Sequence, residues 1–221
     1  LSASLLGNRF WRGAFVPGGV TDAIDADGFA ETKRVAAEAC DETRSLLDMC
    51  LSSDGERERL ETTGILSKEG AIAFGAVGVP ARASGIERDT RLTHPYAAYA
   101  ERRPKLITEA PGDVHARFMV RVRELSESAR LIAELCAKAP TGPIRAECRG
   151  QDGLALGAVE SWRGELLCFV RLKDGRIDRC MPRDPSFCNW PLFGEIGPGN
   201  IVPDFPLCNK SLNLSYSGTD M

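Results

Sequence analysis

The stretch "GDVHARFMVRVRELSESARLIAELCAK", Gly112 to Lys138, decides the fold class. Val114, Phe118, Val122, Leu125, Ala129, Ile132 and Cys136 recur in it at steps of four and three. That spacing returns to one face of a 3.6-residue helix and predicts a long helix with a seam-like apolar stripe. Asp113, just after Gly112, is a suitable N-cap because its carboxylate can accept from a free amide of the first turn. Arg117, Arg121, Glu124, Glu127 and Glu134 fall mostly off the stripe. Pro140 and Gly142 are expected to end the helix.

Toward the N-terminus a second helix is expected from about Phe29 to Cys50, with Val35, Ala39, Thr43, Leu46 and Cys50 on one face. Before it, "GNRFWRGAFVPGGV" reads as a strand or extended arm closing in a turn at Pro17-Gly18-Gly19. Between the two helices, "ILSKEGAIAFGAVGVPARASG" holds a short helix from about Lys68 and a glycine-broken apolar run that Pro80 is expected to stop. Arg82 to Gly112 reads as a long irregular loop, and its Ile86, Leu92, Tyr96 and Tyr99 argue against disorder. After the long helix, "LALGAVES", "ELLCFVRL" and "RIDRCMP" read as three short strands, joined by "WRG" and by the hairpin turn "KDG". Helices followed by a small antiparallel sheet predict an α+β fold, mainly helical over residues 1–150, with the sheet and a C-terminal tail over 151–221.

Composition bounds the function. The 221 residues are enough for a sizeable core, and the net charge of -3 with interspersed signs lacks the basic footprint that nucleic acid requires. No apolar run approaches the ~20 residues of a membrane-spanning helix, and no secretory signal is visible. The first residue is Leu1, so a start further upstream is expected. The eight cysteines form no CxxC pair, which favours reduced thiols acting as small core residues over a disulfide framework or a metal site.

No nucleotide loop or nucleophile elbow is present. His94 and His115, the only histidines, have no partner at ligand spacing. "ARASGIERDTR" carries Arg82, Ser84, Asp89 and Arg91. These residues read either as a solvated loop with ion pairs worth about 0–1 kcal/mol each or as a loop that shapes a pocket. "ESWRGELL" puts Arg163, Gly164 and Glu165 at a tight turn, where a strand-joining glycine is the ordinary explanation. "RDPSFCNWP" carries Arg183, Pro185, Ser186 and Asn189, and reads equally as just another turn. The closing "NKSLNLSYSGTDM" is polar and reads either as a frayed end or as the remains of a site.

Three segments together, "GVPARASGIERDTRLTHPYAAY", "GDVHARFMVRVRELSESARLI" and "ESWRGELLCFVRLKDGRIDRCMPRDPSFCNWP", resemble in that order one family. It is the large subunit shared by energy-converting nickel–iron hydrogenases and respiratory complex I, where it is the D-type subunit that forms the quinone-reduction chamber. The likeness is strongest to the hydrogenase-4 or formate hydrogenlyase branch. Hydrogenases of this family end in a DPCxxC motif whose thiolates hold nickel, a metal suited to soft sulfur. The aligned stretch here is "NLSYSGTDM", which puts Ser215 and Gly218 at the two cysteine positions. The other nickel cysteines belong to a motif upstream of Leu1. The resemblance therefore implies a degenerate metal site and a chain that holds no cofactor itself. It also implies a natural end near Met221, since relatives are trimmed just beyond the cysteine motif.

By the same resemblance the chain is a subunit of a membrane-associated redox complex. It would lie on the cytoplasmic inner face of the cell membrane and span no bilayer. A small iron–sulfur subunit and antiporter-like membrane subunits are the implied partners, and nucleic acid is not. Electrons would pass from the partner's iron–sulfur cluster toward a quinone or another acceptor, with any link to NAD indirect. Arg163, Glu165, Arg183 and Ser186 are the implied catalytic-cavity residues, and Arg82, Ser84, Asp89 and Arg91 the implied interface loop. The alternative expectation is a non-catalytic scaffold of an ion-translocating complex, and the chain alone is expected to be inactive.

Overall fold

The computed structural model describes residues 1–139 and 141–220. Pro140 and Met221, expected to end the long helix and the chain, lie outside the described residues. The chain starts with helix α1 (Ser2–Leu6) and a small hairpin of β1 (Phe15–Val16) and β2 (Gly19–Val20). Helices α2 (Ala26–Leu51), α3 (Asp54–Leu60), α4 (Lys68–Ala73), α5 (Gly78–Ala83) and α6 (Thr90–Thr93) follow, and then a 3-10 turn at Ala97–Ala100. The long helix α7 (Val114–Ala137) leads into a three-stranded antiparallel sheet of β3 (Gly153–Ser161), β4 (Gly164–Lys173) and β5 (Arg176–Arg183). Four short helices close the chain: α8 (Pro185–Asn189), α9 (Phe193–Ile196), α10 (Phe205–Leu212) and α11 (Tyr216–Thr219). This is the α+β architecture expected. No helix among the described residues is long and apolar enough to cross a membrane.

Local chemistry places these boundaries. Asp25, Ser53, Ser67, Asp89, Asp113 and Asp184 each cap the helix that follows by accepting a first-turn amide. Asp174 and Gly175, the two turn residues between β4 and β5, both have positive φ, as a primed hairpin turn requires.

The region from Arg82 to Gly112, expected to be irregular, holds the end of α5, all of α6 and the 3-10 turn. Pro80 does not stop the chain, because it stands in the first turn of α5, where a missing amide breaks no helical hydrogen bond.

The long helix has two buried faces where one stripe was expected. The predicted stripe is half-buried beside α2, where the Cys40 thiol reaches the Leu125 carbonyl at 3.7 Å. Val114 of that stripe is fully buried, and a second face buries Ala116, Arg117, Val120, Glu127 and Leu131. Arg117 thus lies off the stripe and is still fully buried.

The main core joins Leu66, Ala71, Ala76 and Ala81 to Leu192, Ile196, Cys208 and Leu212. Leu212, with Leu214 packed against the same cluster, therefore ties the described part of the closing segment, residues 209–220, to the core. A smaller cluster sets Val79 and Ala83 of α5 against Ala116 and Val120 of α7. Helix α5 lies between the two, and all six of its residues are buried. Of the cysteines only Cys208 is buried, while Cys148 and Cys180 are exposed and the rest intermediate. The expectation of core thiols therefore holds for Cys208 alone, and small apolar character did not decide the positions of the others.

Candidate functional site

Arg82 is the hub. Helix α5 carries it into the interior, where it is 2% exposed. Its Nε donates to Glu124 Oε1 of α7 at 2.6 Å, and its Nη1 to Glu160 Oε1 of β3 at 2.8 Å and to the Arg88 carbonyl at 3.1 Å. Asp89 Oδ2 lies 3.8 Å from the same Nη1. Asp89 is also gripped by Arg91, whose Nε and Nη2 donate to its two oxygens at 3.0 and 2.6 Å, the fork geometry that makes such pairs strong. Glu160 Oε2 accepts the Thr90 amide at 3.0 Å, and the Tyr96 hydroxyl accepts the Glu160 amide at 3.1 Å. Two carboxylates and one guanidinium thus bind α5, α6, α7 and β3 together.

A second group lies beside it. Glu165, at the start of β4, accepts from Arg183 Nη2 of β5 and from Arg88 Nη2, both at 2.8 Å. Thr90 Oγ1 donates to the same carboxylate at 3.4 Å. The Arg183 Nε is buried without a hydrogen-bond partner. Burial pushes the Glu165 carboxyl up, but the two guanidinium groups outweigh it and hold the group below the usual range. Asp89 is likewise pushed up by burial and held below its usual value by Arg91 and Arg82. For Glu124 burial wins, and its carboxyl is raised despite Arg82.

A depressed carboxyl contributes stability that is fully present above its unfolded value, about 4.3 for Glu, and lost as pH falls through the lower folded value. Thermal unfolding between pH 7 and 3 should therefore show a shallower acid limb for Glu165→Gln than for the parent chain. Parallel limbs would mean that Glu165 is not held by its two cations.

The remaining predicted residues meet the closing segment. Arg163 Nε donates to the Asn213 carbonyl at 2.5 Å. Ser186 is fully buried, and its hydroxyl accepts the Ser215 amide at 2.9 Å. Ser84 stands apart and donates to the Leu66 carbonyl at 2.9 Å. The "WRG" turn is pressed against α5: a Cβ on Gly78 would come within 2.3 Å of the Arg163 carbonyl oxygen. The predicted residues thus form three neighbouring sets: Arg82, Asp89 and Arg91; Glu165 and Arg183; and Arg163 and Ser186 against the tail.

Several participants were not among the residues the sequence assigned to a site. Glu160 is the first residue of the quoted "ESWRGELL", yet only its opposition to Glu165 across β3 and β4 signals it. Asn189 makes a two-way amide bond with the Val77 backbone, 3.0 Å in each direction. Arg117 donates to the Ser211 hydroxyl at 2.9 Å and to the Gly112 and Gly64 carbonyls at 2.6 and 2.9 Å. Burial takes its guanidinium down to about 10, so it stays charged at neutral pH. Arg121 has no ion pair among the described residues. Burial lowers it to about 10 as well, against the pull of Glu124. Arg121, Phe118 and Trp162 line both a cavity of about 410 Å³ and its neighbour of about 400 Å³.

Residues 1–152 match the family described as respiratory-chain NADH dehydrogenase, 49 Kd subunit. Formate hydrogenlyase subunit 5 of Escherichia coli K12 is 32% identical over 98% of this chain and 38% of its own length. Hydrogenase-4 component G of the same organism is 31% identical over 98% of this chain and 37% of its own. The D-type subunit of NADH-quinone oxidoreductase from Akkermansia muciniphila is 31% identical over 84% of this chain and 51% of its own. The chain thus spans about half, or less, of the length of these relatives. Among solved structures, a chain from the membrane-bound sulfane sulfur reductase, an archaeal respiratory membrane complex, superposes with a TM-score of 0.85 at 24% identity. That match covers 93% of this chain and 59% of the other, and it shows the fold.

Proposed function

The chain belongs to the family of the respiratory-chain NADH dehydrogenase 49 Kd subunit, and from that premise we propose that it is a redox-complex subunit that has lost the nickel–iron centre. It works beside an iron–sulfur subunit, on antiporter-like membrane subunits, at the cytoplasmic face of the cell membrane. Electrons pass from the partner's cluster toward a quinone or another acceptor. Arg163, Glu165, Arg183 and Ser186 shape the cavity wall. Arg82, Ser84, Asp89 and Arg91 brace the interface loop.

The observation that carries this reading is the packing of the tail. The residues at the two former cysteine positions do not fit a nickel–iron centre. Gly218 offers no donor atom, and a Cβ there would meet Asp184 Cγ at 2.5 Å. The Ser215 hydroxyl accepts the Gly218 amide at 3.1 Å and lies 3.2 Å from the Ser217 hydroxyl. A serine hydroxyl is a far weaker ligand than thiolate for a soft metal. The tail ends in a short capped helix tied to Ser186 through the Ser215 amide. Beside the tail stand two cations: Arg163 on the Asn213 carbonyl, and Arg183, which is paired with Glu165 and has a buried Nε left without a partner.

Affinity purification of the tagged protein from gently solubilised membranes of its host tests this. Co-purification of a cluster-bearing subunit and antiporter-like chains is expected, with no stoichiometric nickel by elemental analysis. Stoichiometric nickel would overturn the loss of the centre. Membrane partners without any cluster subunit would replace electron transfer with the scaffold role.

A further inference from the structure

Cys168 of β4 and Cys180 of β5 bring their sulfurs to 3.8 Å. Cys168 is in register with Pro182 and Cys180 with Val170, so the two cysteines are diagonal neighbours on one face of the sheet. On the other side of β4 the residue opposite Cys168 is Gly157, which has no side chain to cover the pair. Cys180 is exposed and Cys168 half-buried. This is the only thiol–thiol contact among the described residues.

We propose that Cys168 and Cys180 form a dithiol site that a small disulfide oxidant, of the glutathione disulfide class, converts to a cross-strand disulfide, with Cys180 attacking and Cys168 resolving. The Cys180 thiolate attacks one sulfur of the oxidant. The oxidant's S–S bond breaks, and one glutathione leaves with the electron pair and takes a proton from water. Cys168 then gives its proton to water and attacks the Cys180 sulfur, displacing the second glutathione. Two protein thiols are oxidised by two electrons, and one glutathione disulfide is reduced to two glutathione molecules.

Exposure sets the order, because Cys180 is the more open of the two to an incoming disulfide. Contact with the Cys180 thiol also pushes Cys168 up, which leaves Cys168 the poorer first nucleophile. The link would join the two strands that carry the Glu165–Arg183 pair, three residues away along each strand. The proposal does not depend on the electron-transfer role.

The test uses the reduced, folded chain treated with glutathione disulfide, then alkylated and digested with trypsin without reduction. Cuts at Arg171, Lys173, Arg176 and Arg179 separate the two cysteines, so only a disulfide can hold their peptides together. Mass spectrometry should find the Cys168 and Cys180 peptides linked and both thiols lost from alkylation. Exposed Cys148, with no thiol beside it, should keep a mixed glutathione disulfide and report that the reagent acted. Cys168→Ser should trap glutathione on Cys180, and Cys180→Ser should leave Cys168 free for alkylation. A parent chain in which Cys180 stays free or keeps its glutathione while Cys148 is modified would overturn the proposal. So would a link that forms no faster in the folded chain than in urea.

Discussion

Arg82→Ala is expected to lower the free energy of unfolding by about 3–5 kcal/mol, the usual cost of removing one partner from a buried ion pair. Three carboxylates depend on this guanidinium: Glu124, Glu160 and Asp89 lie 2.6, 2.8 and 3.8 Å from it. Alanine would leave them facing one another in the interior, with Arg91 and Arg121 as the remaining near cations. Arg88→Ala is the contrast. Its salt bridge to Glu165 is equally short, 2.8 Å, but the Arg88 side chain is 52% exposed. A pair of that kind contributes about 0–1 kcal/mol. Urea unfolding of the two variants at neutral pH separates them. The sign with pH is also set. Arg82 pulls the Asp89 and Glu124 carboxyls down, so without it these two titrate at higher pH, and the penalty shrinks as pH falls and they become neutral. A loss below about 1 kcal/mol for Arg82→Ala would mean that the hub does not hold the loop.

The periodic elements were legible because their signal is local. The step pattern of α7, its Asp113 cap and the three strands follow from residues a few positions apart. The hub was half legible. "ARASGIERDTR" supplies Arg82, Asp89 and Arg91, but their buried partners come from 42 and 78 residues away. Glu124 looks like any solvated charge on a helix until a second element covers it. The same holds for Arg117, whose partners are a serine hydroxyl and two carbonyls that carry no side-chain signal. Ser84 lay in the right segment yet serves Leu66 at the edge of the core. The cysteines misled for a related reason. "LLCFV" reads as core, but the strand it forms has a sheet face that nothing among the described residues covers fully, so Cys168 is only half-buried and Cys180 stays exposed. Sequence pattern reports which residues want partners, and the long-range fold decides which ones find them.

Gly78→Ala is expected to cost about 2–5 kcal/mol, from two separable costs. Gly78 has φ +66°, and the left-handed backbone costs an L-residue about 1–2 kcal/mol. The added Cβ would also meet the Arg163 carbonyl oxygen at 2.3 Å and the Gly164 Cα at 2.5 Å. Both are backbone atoms, so no rotamer change relieves the clash, and overpacking of this kind costs about 1–3 kcal/mol. Gly75→Ala isolates the first cost. Its φ is +64°, but a Cβ there has nothing within 4 Å. The difference in urea midpoint between the two variants therefore measures the contact between α5 and the Trp162–Arg163 turn. That contact places both ends of the candidate site. It holds Glu165 within reach of Arg88 and Thr90, and it holds Arg163 on the Asn213 carbonyl at the head of the tail. A Gly78→Ala protein that survives should consequently lose the Glu165 acid limb and expose the tail to protease. Equal midpoints for the two variants would show that the turn can move away from α5 and that the site is not held by this approach.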